Sequence, residues 1–197
     1  ESVYDVAKNL ERMVQGIMIR TFGHDIVENM SKYAKIPIIN GLTDYSHPCQ
    51  AMADFLTILE VKGKLEGLKL TYVGDGNNVA HSLMDAGARL GVNVTISCPR
   101  GYEPNMIAYQ QAVEDAKQTG AKIEVVHDPF EAVKGADAVY TDVWASMGQE
   151  SEAAERRRIF LPYQVNENLM AAAKSDAMFL HCLPAHRGDE VTDGVID

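Results

Sequence analysis

The run Phe179-Leu180-His181-Cys182-Leu183-Pro184-Ala185-His186-Arg187-Gly188 sets an apolar strand directly against imidazole, thiol and guanidinium groups. In open α/β sheets ligands bind beyond the carboxyl ends of the strands, so groups delivered there are expected at a crevice. A second cluster, His47-Pro48-Cys49-Gln50, lies far upstream. Pro48 is a favoured first helical residue, which leaves the amides of Cys49 and Gln50 pointing unpaired from a helix N-terminus, where anionic or carbonyl oxygens bind. A histidine donor and a Gln amide beside them would polarise a carbonyl as negative charge develops on its oxygen. Arg20, closing the apolar run Ile17 to Ile19, supplies a cation for an anionic leaving group. Thr141-Asp142-Val143-Trp144-Ala145-Ser146-Met147-Gly148 again runs from strand into polar residues. There Asp142 can pair with an ammonium and Ser146 can donate or accept, although Asp142 serves a turn cap equally well.

Other chemistries fit these residues less well. His47, Cys49, His181, Cys182 and His186 are all possible zinc ligands, but adjacent His-Cys pairs point in different directions and no spacing matches a structural site. A Cys-His nucleophile lacks a nameable third group to orient it. Val73-Gly74-Asp75-Gly76-Asn77-Asn78-Val79 follows a strand and opens a helix in the manner of a dinucleotide fingerprint. Its third glycine position holds Val79, and the next strand offers no acidic group for a ribose. The same loop suits a small polar ligand, because two glycines allow close backbone approach and two short amides lie at the sheet edge.

The elements that must position these groups alternate. Val3, Val6, Leu10, Met13 and Val14 share a helical stripe behind Ser2 and Asp5, predicting a core-facing helix. Strand 17–19, helix 25–34 and strand 36–39 follow, the last closed by Asn40-Gly41. From Pro48 the predicted order is helix to Val61, strand 70–73, helix 79–90, strand 92–97, helix 105–119 and strand 123–126. A short helix after Asp128-Pro129, strand 138–141, helices 150–158 and 167–174, and strand 177–181 complete it. Pro129 at the first helical position and Glu131 at the third make the Asp128 segment a helix start and not a site. Arg156-Arg157-Arg158 beside Glu150, Glu152 and Glu155 reads as a solvated helix face. The pattern is α/β: a parallel, Rossmann-like sheet in three layers with right-handed crossovers, over residues 46–197. Residues 1–45 read as the remnant of a first domain, with a flexible join around 41–47. The chain is expected to be an excised segment, since it opens on helical sequence and stops at Ile196-Asp197 without a finishing helix.

Composition sets the outer limits. At 197 residues the chain can bury roughly 70% of its unfolded surface. A net charge of −10 argues against nucleic acid or an anionic membrane as partner and favours small molecules. Cys49, Cys98 and Cys182 have no C-x-x-C spacing, and their odd number suits a reducing, cytoplasmic setting. No apolar run reaches the length of a membrane span.

Together, His47-Pro48-Cys49-Gln50, Asp75-Gly76-Asn77-Asn78, Asp142 to Gly148 and His181-Cys182-Leu183-Pro184 resemble, in order and spacing, the motif set of the ornithine carbamoyltransferases. The resemblance implies transfer of a carbamoyl group from carbamoyl phosphate to the side-chain amine of L-ornithine, without metal or organic cofactor. By it Arg20, His47, Pro48, Cys49 and Gln50 match the carbamoyl phosphate contacts, joined by Cys182 and Leu183 of the loop that closes over both substrates. Catalytic roles are expected of Arg20, His47, Gln50 and Cys182, the last, on the chemistry of a thiol near the site, as an influence on the proton that the attacking amine must lose. Asn78, Asp142, Ser146 and Met147 match the ornithine contacts, and the segment as a whole would be an ornithine-binding domain after the tail of a carbamoyl-phosphate-binding domain. It further implies a homotrimer or multiple of trimers. The family's Ser-x-Arg-Thr phosphate loop and a C-terminal helix with a further arginine do not occur in the sequence, so this segment alone is expected to turn over no substrate. A NAD-dependent dehydrogenase or nucleotide-binding domain, and a non-catalytic amino-acid-binding domain, are the competing readings.

Overall fold

A computed structural model describes residues 2–145 and 148–197. The first unit comprises α1 (Val3–Leu10), β1 (Ile17–Arg20), α2 (His24–Tyr33) and β2 (Ile38–Leu42). Then come α3 (Pro48–Lys62), β3 (Lys69–Val73), α4 (Asn78–Leu90), β4 (Asn93–Ser97), α5 (Met106–Ala116) and β5 (Ile123–Val126). The chain continues through α6 (Pro129–Val133), β6 (Ala138–Thr141), α7 (Ala153–Phe160), α8 (Glu167–Ala171), β7 (Met178–His181) and α9 (Asp193–Ile196), with 3-10 turns on either side of α7.

β1 and β2 pair in parallel as a small sheet, while the second sheet runs β5-β4-β3-β6-β7, every pair parallel. Its order reverses between β3 and β6, the switch point at which such sheets open a crevice. Period-two alternation feeds two cores. Leu70, Tyr72, Ala138 and Tyr140 face α3, α4 and α5, where Phe55, Ile58, Leu83 and Met84 are buried. Val73 and Val139 face the other side, packing with Val133 of α6 and Leu169 of α8. This is the expected three-layer arrangement.

Local chemistry explains the element boundaries. Asp128 accepts from the amides of Phe130 and Glu131, as its helix-start sequence predicts. Gly63 and Gly91 end α3 and α4 with φ of 74° and 73°, the left-handed region in which glycine carries no Cβ penalty.

Five expectations are corrected. α1 stops at Leu10, and Met13 and Val14 are exposed instead of continuing a core stripe. Asn40 and Gly41 lie inside β2: the register slips between Ile19 and Arg20, and a Cβ at Gly41 would meet the Met18 sulfur that crosses it. The join is no flexible linker. Thr43 is fully buried, its hydroxyl accepts from the Tyr45 and Ser46 amides, and its carbonyl accepts from the Asn78 side chain at 2.7 Å. Arg156 is buried, against the solvated face expected for the arginine run, because its guanidinium turns inward to Asp75. Asp193–Ile196 form a helical turn where none was expected.

Gly87 separates packing from propensity, because a Cβ there would stand 2.3 Å from Val94 Cγ2 and 3.3 Å from the Val92 carbonyl. Helix propensity alone favours alanine over glycine by about 1 kcal/mol, whereas overpacking at a close helix–sheet contact costs about 1–3 kcal/mol. Gly87→Ala is therefore expected to lower the urea midpoint. A raised midpoint would contradict the packing.

Candidate active site

The carboxyl ends of β3 and β6 open onto a cleft of about 780 Å³ that also reaches the end of β1 and the start of α3. Arg20, His47, Gln50, Asn78, Asp142, Cys182 and Leu183 all line it. Of the remaining expected site residues, Pro48 faces a neighbouring groove, while Cys49 is exposed with its thiol donating to the Asn40 carbonyl at 3.3 Å. Ser146 and Met147 lie outside the described residues.

Asp142 is the best-furnished group of the cleft. Its Oδ2 accepts from Asn77 Nδ2 at 2.8 Å, and its Oδ1 accepts from the Val143 amide at 2.7 Å and from the Cys182 thiol at 3.0 Å. A carboxylate has about four acceptor positions, and three are filled among the described residues. Among the described residues one remains, on Oδ2, for an incoming donor. Asn77 is fixed in turn, because its Oδ1 caps α4 by accepting from the Val79 and Ala80 amides. Sequence reasoning offered Asn77 to a small polar ligand as one of two short amides at the sheet edge. Its amide is instead spent on Asp142 and its oxygen on the α4 cap, a pairing that the loop sequence does not reveal. Asn78 uses both ends structurally: Nδ2 donates to the Thr43 carbonyl and Oδ1 accepts from the Val79 amide. It therefore forms the wall where β2 meets α4.

Burial pushes the Cys182 thiol well above the ordinary range, and the Asp142 carboxylate adds to the effect by charge and by hydrogen bonding. As it stands Cys182 is a neutral donor and not a base. Leu183 follows with φ of 56°, a left-handed conformation that is costly for a branched side chain. Its amide donates to His181 Nδ1 at 2.8 Å, and its side chain stands exposed on the cleft.

His181 itself does not face the cleft. With Nδ1 accepting from Leu183, the ring proton sits on Nε2 and donates to buried Glu190 at 3.2 Å. Arg187 likewise leaves the crevice expected for it and pairs with Asp193 and Asp197, and His186 lines a separate groove beside α7. Asp142, His181 and Cys182 bring ligand-type atoms within 4.8 Å of one another. Both His181 nitrogens are engaged, so the trio offers a metal no imidazole lone pair.

The opposite wall is cationic. His47 lies at the start of α3, its amide donating to Ser82 Oγ at 2.7 Å. Burial lowers its pKa and Arg20 lowers it further, with Asp142 pulling the other way. The ring is thus held neutral beside a permanent guanidinium. No side chain caps α3, which leaves that terminus open toward the cleft. Gln50 Nε2 donates to Asp54 Oδ1 at 3.0 Å, one turn further along the same face. Asp54 is a site-supporting residue that sequence reasoning missed. Its signal was an acid four residues from Gln50, set among the buried Ala51, Phe55 and Ile58.

The glycine loop does not behave as a dinucleotide cradle. A Cβ on Gly76 would stand 2.3 Å from the Pro104 nitrogen and 2.5 Å from the Glu103 carbonyl carbon. The missing side chain makes room for the protein's own backbone.

Comparison with known proteins agrees with this geometry. The carbamoyl-phosphate-binding domain model of the aspartate/ornithine carbamoyltransferases matches residues 1–60, and the Asp/Orn-binding domain model matches residues 66–197. The ornithine carbamoyltransferase of Thermococcus kodakarensis is 60% identical over 197 residues, covering 100% of this chain and 62% of its own length. The solved ornithine carbamoyltransferase of Pyrococcus furiosus superposes with a TM-score of 0.96 at 58% identity, over 100% of this chain and 63% of its own. That of Campylobacter jejuni, at 34% identity, still gives 0.92 over 100% of this chain and 65% of its own. The chain thus spans about 62% of the length of curated relatives that it matches.

Burial raises the Asp54 pKa from 3.8 to about 6, against the opposing pull of Gln50 and the nearby Tyr140 hydroxyl. Because the folded value lies above the unfolded one, the stabilisation is full below 3.8 and is lost as pH rises through about 6. Relative to Asp54→Asn, the wild-type chain should lose thermal stability between about pH 4.5 and pH 7. An offset that stays constant across that window would contradict the buried placement of the acid. The fold, the cleft at the switch point and both matching domain models lead to one conclusion: the chain belongs to the aspartate/ornithine carbamoyltransferase family.

Proposed function

We propose that the protein transfers a carbamoyl group from carbamoyl phosphate to the side-chain amine of L-ornithine, giving L-citrulline and phosphate. The single observation that carries this reading is the two-walled cleft. On one wall Arg20, neutral His47 and Gln50 face the cavity, and on the other Asp142 keeps an acceptor position beside Asn78. Arg20 neutralises the phosphate leaving group, while His47, Gln50 and the backbone amides of Cys49 and Gln50, freed at the α3 terminus that Pro48 starts, polarise the carbamoyl carbonyl. Asp142 holds the α-ammonium of the acceptor, with Asn78 in the adjoining wall, and Ser146 and Met147 are assigned to ornithine by the family's motif alone. That anchor fixes the distal amine, once it has lost a proton to become the neutral nucleophile, against the carbonyl carbon. The C–N bond forms, the C–O bond to phosphate breaks, and the second proton of the attacking nitrogen leaves with the departing phosphate, all within one bound complex. Cys182, as a thiol donating to Asp142, keeps that carboxylate oriented, and Leu183 covers the bound carbamoyl group. No cofactor enters the scheme.

The division of labour follows the two sheets only in outline: residues 1–45 with the start of α3 and Leu183 serve carbamoyl phosphate, and the Asp142 wall within residues 46–197 serves ornithine. A homotrimer or multiple of trimers accompanies the reading, supported by the exposed apolar Met18, Phe22 and Ile39 on the β1–β2 unit. A cytoplasmic setting is supported by three unpaired cysteines. No described helix is long and apolar enough to cross a membrane.

Titration calorimetry with L-ornithine, L-aspartate and NADH tests the assignment. Ornithine is expected to bind in preference to the other two. Losing one charge-assisted hydrogen bond of about 1.5–3 kcal/mol, Asp142→Asn should weaken ornithine by roughly tenfold to a hundredfold. Tighter binding of aspartate or NADH, or an indifferent Asp142→Asn, would refute it. Ornithine binding by a complete protein that forms no citrulline from carbamoyl phosphate would favour the non-catalytic amino-acid-binding alternative.

A further inference from the structure

Arg156 has no part in the scheme above, yet its surroundings are not those of a surface charge. Its side chain is 8% exposed. Nη1 donates to Asp75 Oδ2 at 2.8 Å and to the Trp144 carbonyl at 2.9 Å, and Nε donates to Glu152 at 3.1 Å. The guanidinium carbon sits 5.1 Å over the centre of the Tyr102 ring. Burial alone would lower the Arg156 pKa, and the carboxylates of Asp75 and Glu152 outweigh it.

The positions of these partners give the contact its meaning. Asp75 lies in the turn after β3, two residues before Asn77, and Trp144 lies two residues after Asp142 beyond β6. One guanidinium therefore joins the two loops that flank the switch point. Both Asp75 and Arg156 line the cleft. Asp75 and Asp142 repel one another, and Arg156 offsets the charge of Asp75.

We propose that Arg156 is a positioning residue for the amine-binding wall. It fixes the peptide after Asp142 against the turn that carries Asp75 and Asn77, so that the 2.8 Å Asn77–Asp142 hydrogen bond persists with one acceptor position left over. By neutralising Asp75 it also leaves Asp142 as the carboxylate that meets the ligand, matching the wall to one ammonium. The planar fork is essential, since a carboxylate and a carbonyl are held at once; a lysine ammonium is a point charge on a flexible stem. This inference rests on the amino-acid-binding reading of the cleft.

Trp144 is the sole tryptophan of the chain, is buried and stacks on Phe160 at 6.2 Å, so its fluorescence reports on the clamped loop without any substrate. Arg156→Met, Arg156→Lys and Asp75→Asn are compared by acrylamide quenching of Trp144 and by ornithine calorimetry, with circular dichroism to establish that each is folded. Arg156→Met should expose Trp144 to quencher and weaken ornithine by about tenfold or more. Arg156→Lys should restore neither fully. Asp75→Asn, which keeps an acceptor for Arg156, should leave Trp144 protected. Wild-type quenching in folded Arg156→Met, or full function in Arg156→Lys, would overturn the proposal. If only the methionine variant unfolds, the lysine variant decides. Failure of the wild-type chain to bind ornithine would fault the substrate reading, while the quenching comparison would still decide the clamp.

Discussion

A buried carboxylate at the switch point of a parallel sheet has to be satisfied without being saturated, and Asp142 meets both demands. Its three donors come from the turn after β3, from its own following amide and from the residue after β7. Three strand ends are thereby fixed to one group. Left unpaired, a buried carboxylate would be costly and would protonate; with every acceptor position filled, it could not bind a cation. The strand order places β6 between β3 and β7, so these donors reach it from both sides.

The second wall is built by different means. The segment between β2 and α3 is fixed by Thr43, by the Asn78 amide and by His81, whose Nε2 accepts from the Asn105 amide and whose Nδ1 consequently donates to the Tyr45 carbonyl at 2.8 Å. His47 and Gln50 therefore start α3 from a rigid base. Asp54 then orients Gln50 from within the core. The cost of burying that acid is visible in its raised pKa. The cleft is thus polar at its face and supported by groups that are themselves ordered by the packing of α3 and α4 on the sheet.

Much of this was legible in the sequence, and the limits follow from physics. The alternation of elements was readable because apolar periodicity and caps such as Asp128 are local. The grouping of Arg20, His47, Gln50, Asp142 and Cys182 was readable because each follows an apolar strand or opens a helix, and parallel sheets bring such positions to one edge. Partner choice was not. Nothing in Glu152-x-x-x-Arg156 distinguishes a surface pair from a guanidinium turned inward to Asp75, which lies 81 residues away. His181 and Cys182 are neighbours in sequence, yet one turns to Glu190 and the other to the cleft, as successive residues leaving a strand must. The slip at Gly41 depends on Met18 crossing from another strand. Such facts are non-local, and one chain read alone does not contain them.

The central claim is that Cys182 is a neutral thiol donating to Asp142, and its reactivity reads this directly. The rate of alkylation by a neutral reagent is followed against pH, with mass spectrometry separating Cys182 from exposed Cys49 and buried Cys98. Alkylation follows the thiolate, so the account predicts a Cys182 rate that is slow at neutral pH and still rising well above the ordinary cysteine pKa of about 8.5. A Cys182 rate that reaches its plateau near neutrality would mean a thiolate beside Asp142, and would contradict the arrangement on which the acceptor wall depends.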